Sequence, residues 1–517
     1  FAFSLGTNTL NVGGALTIAN GGPSGVINTT LASTSLYGNI RPVGATNLGS
    51  TLLINVTVPT TAYLPVGSQF NIVQTAAGTL QSGTDGTVLT VIIKDPTNPL
   101  YSFRPVPLAG TIAGLVTIET VATPLQSPLA PPPGVILPPT LPIAAVVVPV
   151  LVGIPVTPDI LPIVTAINAF TNPNDVVNAV AQLAPSPSTL IAPLVVFHAD
   201  RQLQNLWLSR SDCGPLGRRD ADNNRPDAQK DSCKRDDQRS GWWLNGFGYF
   251  AQQDAKQAFV GYKAKVGGAM AGYDAPIGPD TRLGIGLGYA RAGIRAKGAG
   301  SSTDVDTYQA TAYASHEPGP WFFHAALSYG LNEYSGLRRI AFSGINREAK
   351  SDFAGRSLTG LANTGLHLSA GGLTVTPDAS IEAVRVRVNS YHETGAGDVD
   401  LRVRARKIDF VETGVGVKIA KSLAVGSGTF EPEIHGRWLH ELSNPRLSQT
   451  AAFSVVGSSS LTTPGLHNPS NTYNVGAALN FFSADPSAWA VAAGYDYYTA
   501  RDGYSAHQAT LKVTRRF

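Results

Sequence analysis

TRLGIGLGYARAG, residues 281–293, places Leu283, Ile285, Leu287 and Tyr289 on one parity and Gly284, Gly286 and Gly288 on the other. Successive strand side chains point to opposite faces, so this is a β-strand with one apolar face and one nearly bare face. The pattern recurs downstream. WFFHAALSYGL (321–331) sets Trp321, Phe323, Ala325, Leu327, Tyr329 and Leu331 against Phe322, His324, Ala326, Ser328 and Gly330. In IEAVRVRVNSY (381–391), Val384, Val386 and Val388 alternate with Arg385, Arg387 and Asn389. At the end of the chain Leu511, Val513 and Phe517 share a face opposed by Gln508, Thr510, Lys512 and Thr514, with Arg515 interrupting the apolar side.

Strands of soluble proteins run about five or six residues. Longer segments, apolar on one side and Gly-rich or charged on the other, are the pattern of an outer-membrane barrel. About twelve such strands start near 241, 259, 281, 303, 321, 347, 373, 399, 429, 467, 488 and 503, an even number as barrels of this kind require. Trp242, Trp243, Tyr249, Tyr273, Tyr289, Trp321, Trp489 and Tyr495 are expected at interfacial girdles.

Upstream of the barrel the chain divides into four further regions. Residues 1–120 are poor in charge, with short alternating segments such as Leu52, Ile54, Val56 and Val58 between Gly, Asn and Thr turns. They predict a small β-rich domain, with solenoid and sandwich both open. Residues 121–165 are Pro-rich, and no Asp, Glu, Lys or Arg occurs between Glu119 and Asp159. Proline removes a backbone donor and clashes inside a helix, so a membrane-spanning helix is excluded and extended, polyproline-like chain is expected. In 166–211, Asn172 caps VVNAVAQLA, and LVVFHADRQLQNLWLSR (194–210) reads as a mixed-polarity helix. At about 25 Å it is suited to line a pore rather than face lipid. A polar loop, 212–240, holds the chain's two cysteines, Cys213 and Cys233, for which a local disulfide is expected, with free or partner-linked thiols as the alternative.

Composition excludes several functions. Charged residues make up 14% and the net charge is +3, with no basic block, so no nucleic-acid partner is expected. No cofactor or metal is implied. His316-Glu317, His392-Glu393 and His440-Glu441 lack the second histidine of a zinc protease, and Ser24 in GGPSGV is not a nucleophile elbow. The start, FAFSLGTN, shows no leader, so a processed chain or the later part of a longer one is expected.

Several stretches together resemble a known family. QLAPSPSTLIAPLVVFHADRQLQNLWLSR, GWWLNGFGYFAQQDA, GYKAKVGGAMAGYDAPIGPDTRLGIGLGYA, GRWLHEL and LKVTRRF are similar to the C-terminal translocator of type Va autotransporters. The resemblance implies an all-β fold: a 12-stranded antiparallel transmembrane β-barrel with a lumenal α-helix, preceded by a β-helix-like passenger segment. Leu511, Val513 and Phe517 would form the signal read by the barrel-assembly machinery, with periplasmic chaperones and outer-membrane lipids as further partners. Asp200, Arg201, Gln204 and Arg210 would belong to the pore helix. Arg385, Arg387, Arg402, Arg404 and Arg406 would face the lumen, solvated or paired with counter-charges such as Asp200. The function implied is export and display of a non-enzymatic, adhesive or structural passenger. Two alternatives stand beside it, a surface assembly formed through residues 1–165 and a passive pore. Self-cleaving members cut after an Asn within the helix, at Asn-Asn or Asn-Ala. Here Asn205 precedes Leu206, a departure from that pattern.

Overall fold

The computed structural model describes residues 2–14, 16–17, 25–48, 51–75, 80–81, 89–94, 100–106, 115–122, 140–155, 157–208, 240–256, 259–298, 300–426, 428–483, 489–501 and 503–516. Phe517, Arg210, both cysteines and most of the Pro-rich stretch before Thr140 lie outside them.

Hydrocarbon offers no hydrogen bonds, so a sheet crosses it only if every strand has two neighbours. Here a 12-strand antiparallel barrel closes on itself. The first strand, Gly241–Gln253, pairs with the last, Tyr504–Arg516, from Gly241↔Arg516 to Gln253↔Tyr504. Observed strand starts at 262, 302, 345, 428, 471, 490 and 504 lie within a few residues of those read from the sequence. The eighth strand, Arg406–Lys421, begins later than the expected 399, because Leu401–Val403 joins a separate extracellular sheet with 391–392, 449–453 and 460–463.

The outer face is apolar, with Ile285 66% and Leu287 72% exposed, as a lipid-facing wall requires. Trp242, Tyr289, Trp321, Trp489 and Tyr495 also point outward. Trp243 and Tyr249 do not: they have the inward parity of the first strand and are buried in the lumen. Their rings explain the lumenal glycines. A Cβ on Gly272 would sit 2.3 Å from the Trp243 ring, and one on Gly284 would sit 2.1 Å from the Tyr313 ring. Trp243 donates to the Tyr313 hydroxyl at 2.7 Å, Tyr313 donates to Asp274 at 2.9 Å, and Arg282 closes the network on Asp274.

Short turns close the rim that carries Gly241 and Arg516, and the long loops 389–405 and 442–470 close the other, so the former is periplasmic and the latter extracellular. The fifth and sixth strands, Trp321–Phe342 and Ile345–Leu366, each run 22 residues. That exceeds the roughly ten needed to cross the membrane, and they carry a platform above it. Ser343 and Gly344, both with positive φ, make the tight turn at its tip.

On this platform sit three helices, α1 (Leu141–Leu151), α2 (Leu161–Asn168) and α3 (Pro173–Ala181). The expectation of extended chain over 121–165 is therefore corrected for its described part. Pro142 and Pro162 occupy the first helical turn, where no intrahelical donor is needed, and Pro149 falls near the end of α1. Absence of charge from α1 and α2 is explained by burial: Ile143, Val147, Val148, Leu151, Ile163 and Val164 enter one core shared with the platform and the N-terminal domain.

That N-terminal domain is a short β-helix, so the solenoid alternative is the correct one. Strands Ala2–Gly6, Gly25–Thr30, Thr51–Thr57 and Thr90–Lys94 stack in parallel, aligning Phe3, Ile27, Ile54 and Ile93 in a column. Beside it Asn55 donates to Asn28 at 2.7 Å and Asn28 to Ser4 at 3.1 Å. An antiparallel hairpin, Tyr101–Pro105 with Leu115–Ala122, ends the parallel stacking. Rung spacings of 24 residues (Ala2↔Val26) and 39 (Thr51↔Thr90) differ widely, which is why no repeat is readable in the sequence.

Between α1 and α2, Asp159 anchors the helices to the barrel. Arg347 donates to its carboxylate at 2.9 Å and the Asp398 N–H donates at 2.7 Å. Gly397, at φ 72°, is required there, since a Cβ would meet the Asp159 carboxylate at 2.2 Å. Burial pushes the Asp159 pKa up, but the Arg347 hydrogen bond, the Asp398 N–H and the Arg347 charge outweigh it and hold the group below its ordinary value. Its contribution to docking is thus complete above about pH 4 and is lost as pH falls through the lowered value. Hydrogen exchange over 157–168, corrected for intrinsic rates, is expected to quicken several-fold on acidification below that range. Arg347→Gln should show the faster rate at neutral pH. Identical protection in both proteins at both pH values would remove the pair from the docking account.

Candidate functional site

A 12-strand barrel is too wide for its own side chains to fill. The filling here is α4, Pro187–Leu208, which begins well before the helix expected at 194. Its N-terminal end lies at the extracellular rim, where Thr189 and Ser188 meet Thr303 at 3.1 and 2.9 Å. Its other end approaches the periplasmic half, where Asn245 donates to the Leu206 carbonyl at 2.6 Å.

The upper half of α4 is apolar, and the lumen matches it. Leu190, Ile191, Leu194, Val195 and Phe197 pack in one core with Val384, Val386, Val388, Ile408 and Phe410. Phe197 stacks on Phe410 with ring centroids 4.7 Å apart. Pro193 cannot donate to the carbonyl four residues back, that of Thr189. Arg406 supplies the missing donor, reaching the Thr189 carbonyl at 2.8 Å and the Leu190 carbonyl at 2.9 Å.

Lower down, the helix carries charge. Arg201 forms an ion pair with Glu412 of the eighth strand, both side chains buried, and its guanidinium lies 5.7 Å from the ring centroids of both Phe197 and Tyr498. Asp200 accepts from Gln309 at 3.0 Å. Gln204 is fully buried, with neither side-chain polar atom reaching a protein partner among the described residues. A cavity of ≈ 50 Å³ beside the helix is lined by Arg201, Asn205, Glu382, Glu412, Arg437 and others, giving the lower lumen a polar character. Gly288 lets α4 approach the wall, since its Cβ would sit 3.0 Å from Leu203.

Several expectations about the arginines are corrected. Arg385 and Arg387 point away from the lumen, and the valines between them point in. Above the hydrocarbon the exterior is polar while the lumen is packed by the apolar half of α4, so the polarity of the two faces inverts. Arg402 and Arg404 lie outside the barrel, exposed on the extracellular sheet. Of the five, Arg406 alone contacts α4. Asp200 is not the counter-charge of these arginines, for the helix supplies the cation and the wall supplies the carboxylate. Leu511 is exposed on the outer face and Val513 shares its parity, while Arg515 on the same side lies 5.3 Å from the Trp489 ring. Glu382 and Glu412 stand directly opposite each other at inward positions of the seventh and eighth strands, acids of the inner wall that sequence reasoning overlooked.

These features define an outer-membrane barrel whose lumen is occupied by a helix of its own chain. A family model of the autotransporter β-domain matches residues 242–496. Residues 242–496 belong to the autotransporter β-domain family, which makes this a protein of the Gram-negative outer membrane. It is 27% identical over 292 residues to outer membrane protein B of Rickettsia typhi and 28% identical over 291 residues to that of Rickettsia prowazekii, each match spanning 54% of this chain. The chain spans only 17% of the length of these curated relatives. A shorter match, 26% over 185 residues, is to esterase EstA of Pseudomonas aeruginosa, covering 35% of this chain and 27% of that protein. The solved translocator domain of autotransporter NalP from Neisseria meningitidis aligns with a TM-score of 0.46 at 16% identity, over 64% of this chain and 100% of that one.

Removing one partner of a buried ion pair leaves the other uncompensated, at a cost of about 3 kcal/mol. Arg201→Ala is therefore expected to lower the heat-denaturation midpoint of the detergent-solubilised barrel, and Glu412→Gln to recover part of the loss in the double variant. Additive single effects in that cycle would show that the two residues do not couple.

Proposed function

We propose that the barrel exports the N-terminal β-helix and then holds it at the cell surface, with α4 as the stalk that remains in the pore. The observation that carries this is the path of the chain, which passes once through the lumen as α4 from the extracellular rim towards the periplasmic one. Docking through α1–α3 supports retention over release: Tyr63 donates to the Leu151 carbonyl at 3.2 Å, Asn168 to the Thr60 carbonyl at 3.3 Å, and Arg338 to the Gln182 carbonyl at 2.9 Å. Folding of β-helix rungs outside the cell would bury apolar columns and oppose back-sliding without a nucleotide energy source.

A structural or adhesive role for residues 1–122, without catalysis, follows from their character. Among their described residues the chemistry is packing: apolar columns and an Asn ladder, with Arg104–Glu119 an ion pair at the surface. Leu511, Val513 and Phe517 would serve as the signal for the barrel-assembly machinery, after periplasmic chaperones have carried the chain across. Occupation of the lumen by α4 disfavours a passive pore. Burial of Ile143, Val147, Val148, Leu151, Ile163 and Val164 gives these apolar residues partners within the chain, which disfavours a surface assembly through them.

Protease treatment of intact cells tests this. A tag inserted at the exposed Val66–Gly67 turn should be lost from intact cells, while the barrel fragment persists. Recovery of the tagged domain in the medium without protease would replace display by release, and protection of the tag in intact cells would overturn export. Planar-bilayer recordings are expected to show low conductance that rises when 187–208 is deleted.

A further inference from the structure

We propose that the outer wall of strands six to eight, at the extracellular edge of the lipid-facing band, binds the phosphate groups of a phosphorylated glycolipid in the surrounding outer leaflet. The proposal depends on the outer-membrane placement and not on the display function.

Three cations stand in line across this wall. Arg356 of the sixth strand is directly opposite Arg387 of the seventh, Leu373–Val388, and Arg387 is directly opposite Lys407 of the eighth. All three are exposed on the outer face. Like charges directly opposite on neighbouring strands destabilise a sheet, so such a row needs counter-charge. At the level of the row the supply is one carboxylate, for the next outward acid of the sixth strand, Asp352, lies four residues above Arg356 and accepts from Ser335 at 2.7 Å. Asp409 accepts from Arg385 at 2.7 Å and lies 3.3 Å from Lys407, leaving four cations to a single acid. On the fifth strand the residue opposite Arg356 is Leu331. Glu333 lies diagonal to Arg356 without an ion pair between them among the described residues.

The height of the row selects the ligand. Immediately below it the outer face is Leu358, Ala383 and Ile381, with Tyr329 and Leu331 alongside, all lipid-facing. On the seventh strand the outward residues from Leu373 to Ala383 carry no charge, and eleven residues of tilted strand span roughly the 25 Å of an outer-membrane apolar band. Arg385 and Arg387 are therefore the first groups above hydrocarbon, at the level of lipid headgroups. A guanidinium binds phosphate through two parallel charge-assisted hydrogen bonds, and adjacent cations there gain from the weak local screening.

A second feature favours a sugar-bearing headgroup over a simple phospholipid. Above the row, Arg402 and Arg404 share the outer face of the extracellular sheet, with His392 directly opposite Arg402. They line a cavity of ≈ 390 Å³ together with Ser390, Ser458 and Ser460, and no carboxylate is among its lining residues. Hydroxyls and cations in one depression suit a headgroup that extends away from the membrane with both hydroxyl and phosphate groups.

The test uses the full chain in detergent, titrated with lipid A carrying two phosphates, with the same lipid dephosphorylated, and with inorganic phosphate, bound lipid being read by native mass spectrometry. Phosphorylated lipid A is expected to bind wild type in a salt-sensitive manner and at least tenfold more tightly than the dephosphorylated form. Arg356→Gln/Arg387→Gln/Lys407→Gln should lose that preference, and Arg356→Lys/Arg387→Lys should keep it, with folding of each checked by heat-modifiable gel mobility. Equal binding of the two lipids by wild type, which needs no variant, would overturn the proposal. So would an unchanged preference in the folded triple Gln variant. Competition by millimolar inorganic phosphate as effective as the lipid would make this a free-anion site and equally overturn it.

Discussion

Every other feature depends on one constraint, that a backbone crossing hydrocarbon must hydrogen-bond entirely to itself. Pairing of Gly241–Gln253 with Tyr504–Arg516 satisfies it by abolishing both sheet edges. Closure with twelve strands leaves a lumen that must be filled or wetted. Filling it with α4 dictates what the inner wall can be: glycine where rings or the helix approach, valine where the helix is apolar, and glutamate where it carries Arg201.

The helix solves its own problems with the same wall. Its upper half behaves like a helix in a protein core, and the cost of Pro193 is met by Arg406 on the barrel. Its lower half is equally buried but polar, with Asp200, Gln204 and Arg201 among polar residues of the strands. This division also explains the inverted strands. Where the exterior is hydrocarbon, the outward side chains are apolar; where it is polar and the lumen is dry, arginine faces out and valine faces in. One strand, Leu373–Val388, contains both regimes.

Outside the membrane the same economy of burial recurs. The helices α1 and α2 carry no charge because their apolar side chains enter the core between the β-helix and the long fifth and sixth strands, while α3 turns Asp175 and Asn178 to solvent. Arg338 and Arg347, on those strands, take the carbonyls and the carboxylate that the enclosed segment presents. Two cores result, one around α4 in the lumen and one uniting cap, platform and β-helix.

The sequence by itself determined the barrel, its strand number, the lipid-facing set in 281–293 and 321–331, the Asn172 cap and the presence of a lumenal helix. Period-two alternation and proline chemistry are local, and they survive any tertiary arrangement. Tertiary structure decided what local pattern cannot: that the Pro-rich stretch is helical from Leu141, because burial on both sides rewards it and its prolines fall where helices tolerate them. It also decided which parity faces lipid and which faces the helix. Alternation of Val and Arg over 384–388 is the same string in either orientation, and only the height of that segment above the bilayer, beside the apolar half of α4, turned its arginines outward.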